Sequence, residues 1–426
     1  MRIAFWVSLG LVLYAYALYP CILIMLASFY QLLRDLRFAS GRGERRSGAR
    51  RELPTVSVVF SAFNEESVIR EKMANCAALD YAPAKLEVIV GCDGCTDQTS
   101  ALATTANVPN VHIFDFPARR GKPIVLNDLV ARAQGEVVVF SDANTILAPD
   151  AVRRLVRHFE DPRVGCVSGE LTFKPAPNGT RSEGVYWRYE VLLKFFESRL
   201  NMLVGANGGL FAIRKPLFTP IPPRGIIDDF LVSMSIRQKG YRVVYDPEAT
   251  AVEEAAVSVK DEFRRRVRIG AGNFYALRYT WRLLLPTAGL VSLAYWSHKV
   301  CRWMVPYALL TAFCGALALI TEPFYTWSVA AALGLCAVGA VGYRREKRDH
   351  RPGLFGIPYY FLSMNLALAL GLLRFLAARQ SLAWNRTPRV TQIEQDEVRY
   401  TYLTTGESKS ERGTNSALQS TPTSRP

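Results

Sequence analysis

The sequence predicts an α/β protein in which a mostly parallel sheet, covered by helices, is flanked by transmembrane helices. Three observations carry this. Short β-branched runs alternate with amphipathic helical patterns through the middle of the chain, long uncharged apolar stretches stand at both ends, and acidic or amide side chains follow directly on several strand runs. In a parallel sheet such residues gather at the carboxyl ends of the strands, where ligands bind.

From Ile3 to Leu33 there is no Asp, Glu, Lys or Arg, a span long enough to cross about 30 Å of hydrocarbon as a helix, with a bend expected at Pro20. Residues 1–33 read as a transmembrane anchor. Ala15 and Ala17 form an A-x-A-like pattern that suits a secretory signal, but the apolar run continues past them. A basic linker is expected at 34–53, with seven arginines between Arg34 and Arg51. Three further apolar stretches, Trp303 to Thr321, Phe324 to Tyr343 and Leu354 to Leu373, define a C-terminal transmembrane region at 301–378. The segment 281–300 is apolar but interrupted by Ser297, His298 and Lys299, which suits an interfacial helix. Beyond it all, 379–426 is a tail rich in Ser, Thr and Gly, expected to be largely disordered.

The net charge of +15 raises nucleic acid as a partner, yet much of the excess lies beside the apolar spans and no DNA or RNA module accompanies it. Juxtamembrane clusters such as "RREKRDHR" after Tyr343 are the positive-inside signal, so the middle of the chain is expected to face the cytoplasm from the cell (inner) membrane. With one early and three late spans, the flank carrying Arg379, Arg386 and Arg389 falls outside, unless one late segment is re-entrant or the Leu283 region also crosses.

The soluble middle, 54–280, begins with "TVSVVFSAFN", a strand run that leads into the amphipathic helix pattern "EESVIREKMANCAAL". "LEVIVGCDG" repeats the arrangement, with a helix from about Thr96. "VHIFDF" and "EVVVF" supply two more strands around the helix "KPIVLNDLVARA". A dinucleotide fold is the rival for such a sheet, but no strand is followed by G-x-G-x-x-G, and "GANGGL" at 205–210 has the wrong spacing.

In "FSDANTILAPDAV", Asp142 and Asn144 follow directly on a strand. Side-chain oxygens at i and i+2 on such a turn can share a hard cation, and that cation can bridge a diphosphate; a capping turn is the competing reading. "GIIDDFLVSMSIRQKG" places Asp228 and Asp229 at a helix start, either to complement the helix dipole or to hold one of them as a general base. In "SVKDEFRRRVRIGAGNF", Ser258 and Asp261 make a capping box. Arg264, Arg265 and Arg268 crowd neighbouring turns, calling for an anion or a membrane surface to balance them.

Seven segments in order, "SAFNE", "CDGCTD", "RRGKPIVLN", "SDANT", "GANGGLFAIRK", "IIDDF" and "RRRVRIGAGN", flanked by apolar spans, resemble the membrane-bound family 2 glycosyltransferases of the cellulose, hyaluronan and poly-N-acetylglucosamine synthase kind. The likeness runs from about residue 54 to 280. It implies a GT-A fold, the nucleotide-diphospho-sugar transferase architecture. By resemblance, Ser61, Asn64 and Glu65 border the nucleotide base and ribose, Asp93 contacts uridine, and Lys122 lies near the sugar nucleotide. Asp142 and Asn144 stand where the family has D-x-D, and so would hold a divalent metal, Mg2+ or Mn2+. Asp229 is implied as the base with Asp228 beside it, and Arg265, Arg266 and Arg268 fall where the family has Q-x-x-R-W. Three departures stand out: Asn144 replaces the second acid, Asp228 is a methylene shorter than the usual glutamate, and Ile269 replaces the tryptophan on which processive members stack an acceptor sugar.

The resemblance implies an inverting hexosyltransferase moving a hexose or N-acetylhexosamine from a UDP-sugar to a glycan or lipid-linked acceptor, in contact with membrane lipids and with an accessory membrane subunit as a further partner. Transfer to polyprenyl phosphate is an alternative, as is a catalytically silent nucleotide-binding scaffold. Cys92 and Cys95 form a C-x-x-C, but a second such pair is missing from the sequence, and the expected chemistry of "CDGC" lies in Asp93.

Overall fold

The structure, a computed structural model, describes residues 1–40, 52–106, 108–174, 181–254, 259–348 and 353–377. Most of the basic linker, the capping box at Ser258, the flank with Arg379, Arg386 and Arg389, and the C-terminal tail lie outside them.

The soluble region is an eight-stranded sheet in the order β3-β2-β1-β4-β7-β6-β8-β5. β1 (Val56–Ala62) pairs in parallel with β2 (Leu86–Asp93) and β4 (Val137–Ser141), and β2 pairs in parallel with β3 (Val111–Phe116). This half matches the βα alternation in the sequence. The other half is mixed: β7 (Leu210–Arg214) runs antiparallel between β4 and β6 (Val164–Lys174), and β8 (Arg242–Glu254) lies parallel to β6 and antiparallel to the short β5 (Ile146–Leu147).

Strand alternation sorts the core into two layers. Val58, Phe60, Val88, Val90, Val137 and Val139 face one side, while Val59, Ile89, Val138 and Phe140 face the other. On that second side Phe140 stacks on Phe211, with ring centroids 4.5 Å apart, and the same apolar layer continues into Tyr19, Leu23, Val291, Tyr295 and Trp303 of the terminal helices. The sheet and the apolar helices thus share one core.

Four helices among the described residues are long and apolar enough to cross a membrane: α1 (Arg2–Ala39), α9 (Leu290–Ala318), α10 (Pro323–Lys347) and α11 (Gly353–Leu376). The remaining helices are α2 (Ile69–Ala77), α3 (Thr99–Thr104), α4 (Lys122–Arg132), α5 (Ala151–Val156), α6 (Arg181–Arg199), α7 (Asp228–Gln238) and α8 (Val259–Thr280).

The segment 281–300, expected as one interfacial helix, is divided between two kinds of element. Two 3-10 turns, Trp281–Leu284 and Pro286–Ala288, end at Gly289, and α9 then runs unbroken from Leu290 through the stretch expected to start at Trp303. Ser297 and His298 do not interrupt it because both are buried inside the protein. In α1 the distortion expected at Pro20 takes the form of a wider π turn, Tyr14–Leu18, just ahead of it. Pro20 has no N–H for the carbonyl one turn back, and the wide turn absorbs the mismatch. A second π turn, Tyr295–Val300, lies in α9.

α8 crosses α11 at near backbone contact. A Cβ on Gly371 would stand 2.9 Å from the Cα of Gly270, so this approach needs glycine.

Candidate active site

Two adjoining cavities meet at Lys122 and Asp142. The smaller opens at the carboxyl ends of β1, β2 and β4 and is lined by Ser61, Glu65, Asp93, Arg119 and Asn144. It lies where the strand order reverses between β1 and β4, the usual ligand crevice of such sheets. The larger, about 370 Å3, runs from Lys122 and Asp142 past Asp228 and Asp229, under the arginines of α8, to Tyr16, Trp303 and Asn365 on the apolar helices.

On the smaller side Asp93 is almost fully buried, and its carboxylate accepts the backbone N–H groups of Arg120 at 2.6 Å and Gly121 at 2.8 Å. It therefore fixes the turn that starts α4 as well as lining the cavity. Asn64, with a φ of 53°, is turned away from it: its amide accepts from the backbone N–H of Thr96 at 2.9 Å and donates to the Thr96 hydroxyl at 3.0 Å. Asn64 ties two loops together. Cys92 is buried in β2, and the Cys95 thiol donates to the Ala62 carbonyl at 3.5 Å; both are free thiols.

At the junction the Lys122 ammonium stands 2.8 Å from Asp142 Oδ1 and 3.1 Å from Asp228 Oδ2. Burial alone would lower it, but Asp142 and Asp228 more than offset that and hold it firmly protonated. Burial pushes Asp228 up to about 6 despite Lys122, and raises Asp229 above the ordinary carboxylate range as well. The Arg268 guanidinium, brought down to about 10 by burial and by Arg265, faces Asp142 and Asp228. The expected repulsion among the arginines is relieved from within their own helix: Glu262 accepts from Arg266 at 2.6 Å and lies 3.4 Å from Arg265. Ile269 lines the cavity where the resembling family carries its tryptophan.

No group of three His, Cys, Asp or Glu side chains placed to hold a metal occurs among the described residues. Asp142 and Asn144 nevertheless fit one side of a cation site. The Asn144 amide nitrogen is buried with no hydrogen-bond partner, and with the amide turned over, an oxygen in that place would be satisfied by a cation shared with the Asp142 carboxylate.

Sequence reasoning missed several residues. Lys72 of α2 is completely buried and ties down the SDANT loop, donating to the Ser141 hydroxyl at 2.9 Å and the Thr145 carbonyl at 2.6 Å. The far end of the large cavity is a buried ionic cluster. Glu197 lies 2.8 Å from the Tyr19 hydroxyl and 2.7 Å from His298 Nδ1, Glu190 lies 3.2 Å from His298 Nε2 and pairs with Arg302, and Arg302 donates to the Tyr186 hydroxyl at 2.8 Å. Each of these residues stands alone in the sequence. The one local signal was the group Ser297-His298-Lys299 inside an apolar run, since ionisable groups in such a run are costly unless paired.

Residues 57–217 match the model of glycosyl transferase family 2. Poly-beta-1,6-N-acetyl-D-glucosamine synthase of Staphylococcus aureus is 26% identical over 233 residues, covering 53% of this chain and 56% of that protein. The probable glycosyltransferase YdaM of Bacillus subtilis is 26% identical over 254 residues, covering 53% of this chain and 57% of that protein. The chain thus spans just over half the length of the curated relatives it matches. Among solved structures, a mannosyltransferase from Pyrobaculum calidifontis in complex with GDP-Man and Mn2+ superposes with a TM-score of 0.60 at 24% identity, covering 84% of this chain and 97% of that one. That likeness is one of fold.

Proposed function

Because the chain carries a family 2 glycosyltransferase domain of GT-A-like fold, we propose that it is a membrane-embedded, inverting enzyme that moves a hexose or N-acetylhexosamine from a UDP-sugar to a glycan or lipid-linked acceptor. One observation carries the reading. Lys122, Asp142, Asp228, Asp229 and the α8 arginines, far apart in sequence, converge on one cavity that begins at the sheet crevice and ends among the apolar helices. The soluble domain at 54–280 takes the donor from the cytoplasmic side of the cell membrane, and the terminal helices, in contact with membrane lipids, present the acceptor.

Ser61, Glu65 and Asp93 form the nucleotide side, with Asn64 shaping its loop. Asp142 and Asn144 would hold a divalent cation, Mg2+ or Mn2+, which when bound would neutralise charge on the diphosphate. Lys122, Arg265, Arg266 and Arg268 do the same from the protein, and their positive field favours the charge that develops on the leaving group. The acceptor hydroxyl attacks the anomeric carbon, its C–O bond forms as the bond to the diphosphate breaks, and the electron pair leaves with the diphosphate. The hydroxyl proton passes to Asp229. A single displacement inverts the anomeric centre.

Ile269 supports transfer of one or a few sugars, since an aliphatic side chain cannot stack on a sugar ring as tryptophan does. UDP release from UDP-glucose, UDP-galactose and UDP-N-acetylglucosamine, with gel sizing of labelled product, tests donor and product length. No release with any nucleotide sugar, alongside intact UDP binding, would favour the silent scaffold. Asp229→Asn is expected to lose transfer by at least about 100-fold while still binding UDP; full activity in that variant would remove Asp229 as the base.

A further inference from the structure

The turn Gly205-Ala206-Asn207-Gly208-Gly209 forms the wall of the large cavity beside Asp229. A Cβ on Gly208 would stand 3.3 Å from Asp229 Oδ2, so the carboxylate lies against bare backbone. The turn is pinned at Asn207. Its backbone N–H donates to the Ser168 hydroxyl at 3.0 Å, its amide nitrogen donates to the Gly169 carbonyl at 2.6 Å, and its amide oxygen accepts from the Lys194 ammonium. Lys194 sits on α6, is only 8% exposed, and lines the same cavity as Asp229. Burying an ammonium is costly, and the mechanism above leaves this one without a task.

Several charged or titratable groups act on Asp229: Lys122 from α4, Asp142 after β4, the Cys166 thiol from β6, Lys194 from α6, Lys299 from α9 and its own neighbour Asp228. Lys122 is shared between Asp142 and Asp228. Lys194 approaches from the opposite element, with Glu190 and Glu197 on its own helix, Lys299 across from it and the Trp187 ring 5.7 Å away.

We propose that Lys194 is a positioning residue for the base: through Asn207 it fixes the backbone wall beside Asp229, and its ammonium keeps that carboxylate ionised while an acceptor hydroxyl approaches. The proposal rests on Asp229 being the base. Burial and Lys299 bring Lys194 down to about 8, so it is charged at neutral pH. Removing a nearby cation removes an interaction that favours the carboxylate, so Asp229 then takes up its proton at a higher pH.

The test uses the full chain in lipid nanodiscs, comparing wild type with Lys194→Met, Lys194→Arg and Asn207→Ala. kcat/KM is followed against pH by UDP release from UDP-N-acetylglucosamine, and the protonated-carboxyl infrared band that Asp229→Asn removes is titrated without substrate. In Lys194→Met the acid limb and the band are expected to move up by about one pH unit, with donor KM within about twofold. Lys194→Arg returns both toward wild type, and Asn207→Ala lowers kcat about tenfold without moving either. A band and limb unmoved in Lys194→Met overturn the proposal, as does wild-type kcat in Asn207→Ala should Lys194→Met fail to fold. If Asp229→Asn keeps full transfer, the base assignment itself is wrong; if Asp229→Asn is inactive and the Lys194→Met titration is unchanged, only the role of Lys194 falls.

Discussion

The two ends of the site are built in different ways. The crevice end is assembled from the tips of β1, β2 and β4, each presenting a side chain at or next to its last residue: Ser61, Asp93 and Asp142. The membrane end is assembled from helices, with Tyr16, Glu190, Lys194, His298, Arg302 and Asn365 arriving from four of them. At the crevice end, backbone hydrogen bonds hold the side chains, as with Asp93 and the Arg120 and Gly121 N–H groups. At the membrane end buried charges hold one another. On the proposed function, the first binds a donor with little cost to the fold, whereas at the second, recognition and stability reside in the same residues.

The comparison is sharpened most by Lys122, which belongs to both cavities. Lys122→Ala leaves Asp142 and Asp228 facing each other without their shared cation. The expected result is a loss of about 100-fold or more in kcat/KM, with weaker UDP binding by calorimetry.

The membrane end is probed by Glu190→Gln, which strips Arg302 and Lys299 of their carboxylate. Breaking a buried pair from one side costs about 3 kcal/mol. The thermal midpoint in detergent should fall clearly while UDP affinity stays within about twofold; equal loss of both would erase the distinction between the two ends.

A pH titration reads the junction. Asp228 titrates at about 6 and Asp229 above the ordinary carboxylate range, both raised by burial. A carboxyl whose folded value is raised contributes stability that is full below its unfolded value and is lost as pH rises through the folded one. The proposed base, in contrast, works only when ionised. As pH falls below neutrality, kcat/KM should therefore drop at a higher pH than an ordinary carboxylate base would allow, while the contribution of these two groups to stability grows, which pH-rate profiles and thermal melts measured together would check.

The smallest effect is expected at the C-x-x-C. Replacing Cys92 and Cys95 with serine should change transfer by less than about twofold, with a modest drop in thermal midpoint because the Cys92 position is fully buried. A large loss of transfer at unchanged stability would give the thiols a role that the geometry does not.

The same contrast explains what the sequence could reveal. Strand runs such as "VSVVF" and "VVVF" announce β1 and β4 because burial on both faces demands continuous apolar residues, and Asp142 is legible because it follows one directly. The antiparallel β7 was not legible: "LFAIR" follows "GANGG" with no turn chemistry that reveals direction. Glu262 was legible but overlooked beside the arginines it neutralises: it stands three and four residues before Arg265 and Arg266, a helical spacing that the sequence shows. Lys72, Lys194 and Glu190 look like the polar faces of ordinary amphipathic helices, and only the tertiary structure turns those faces inward.

The π turn at Tyr14–Leu18 makes α1 a helix with one residue more than an unbroken α-helical path between its two anchor points would hold. On its inner side the Tyr19 hydroxyl is fixed to Glu197, at its lip the Tyr14 hydroxyl lies 2.7 Å from that of Ser297, and on its outer side Phe5 is wedged against Tyr325 with ring centroids 5.1 Å apart. Deleting Ala17 would let the turn relax to α geometry with both anchors still in phase; forced into α geometry with every residue kept, it would instead swivel everything before it by about 100° about the helix axis. Phe5 would leave its seat on α10 while Tyr19 kept its hold on Glu197. The wide turn thus absorbs the extra residue without loss of phase, letting a single apolar helix keep step with the sheet domain at one end and with the helix beside it at the other.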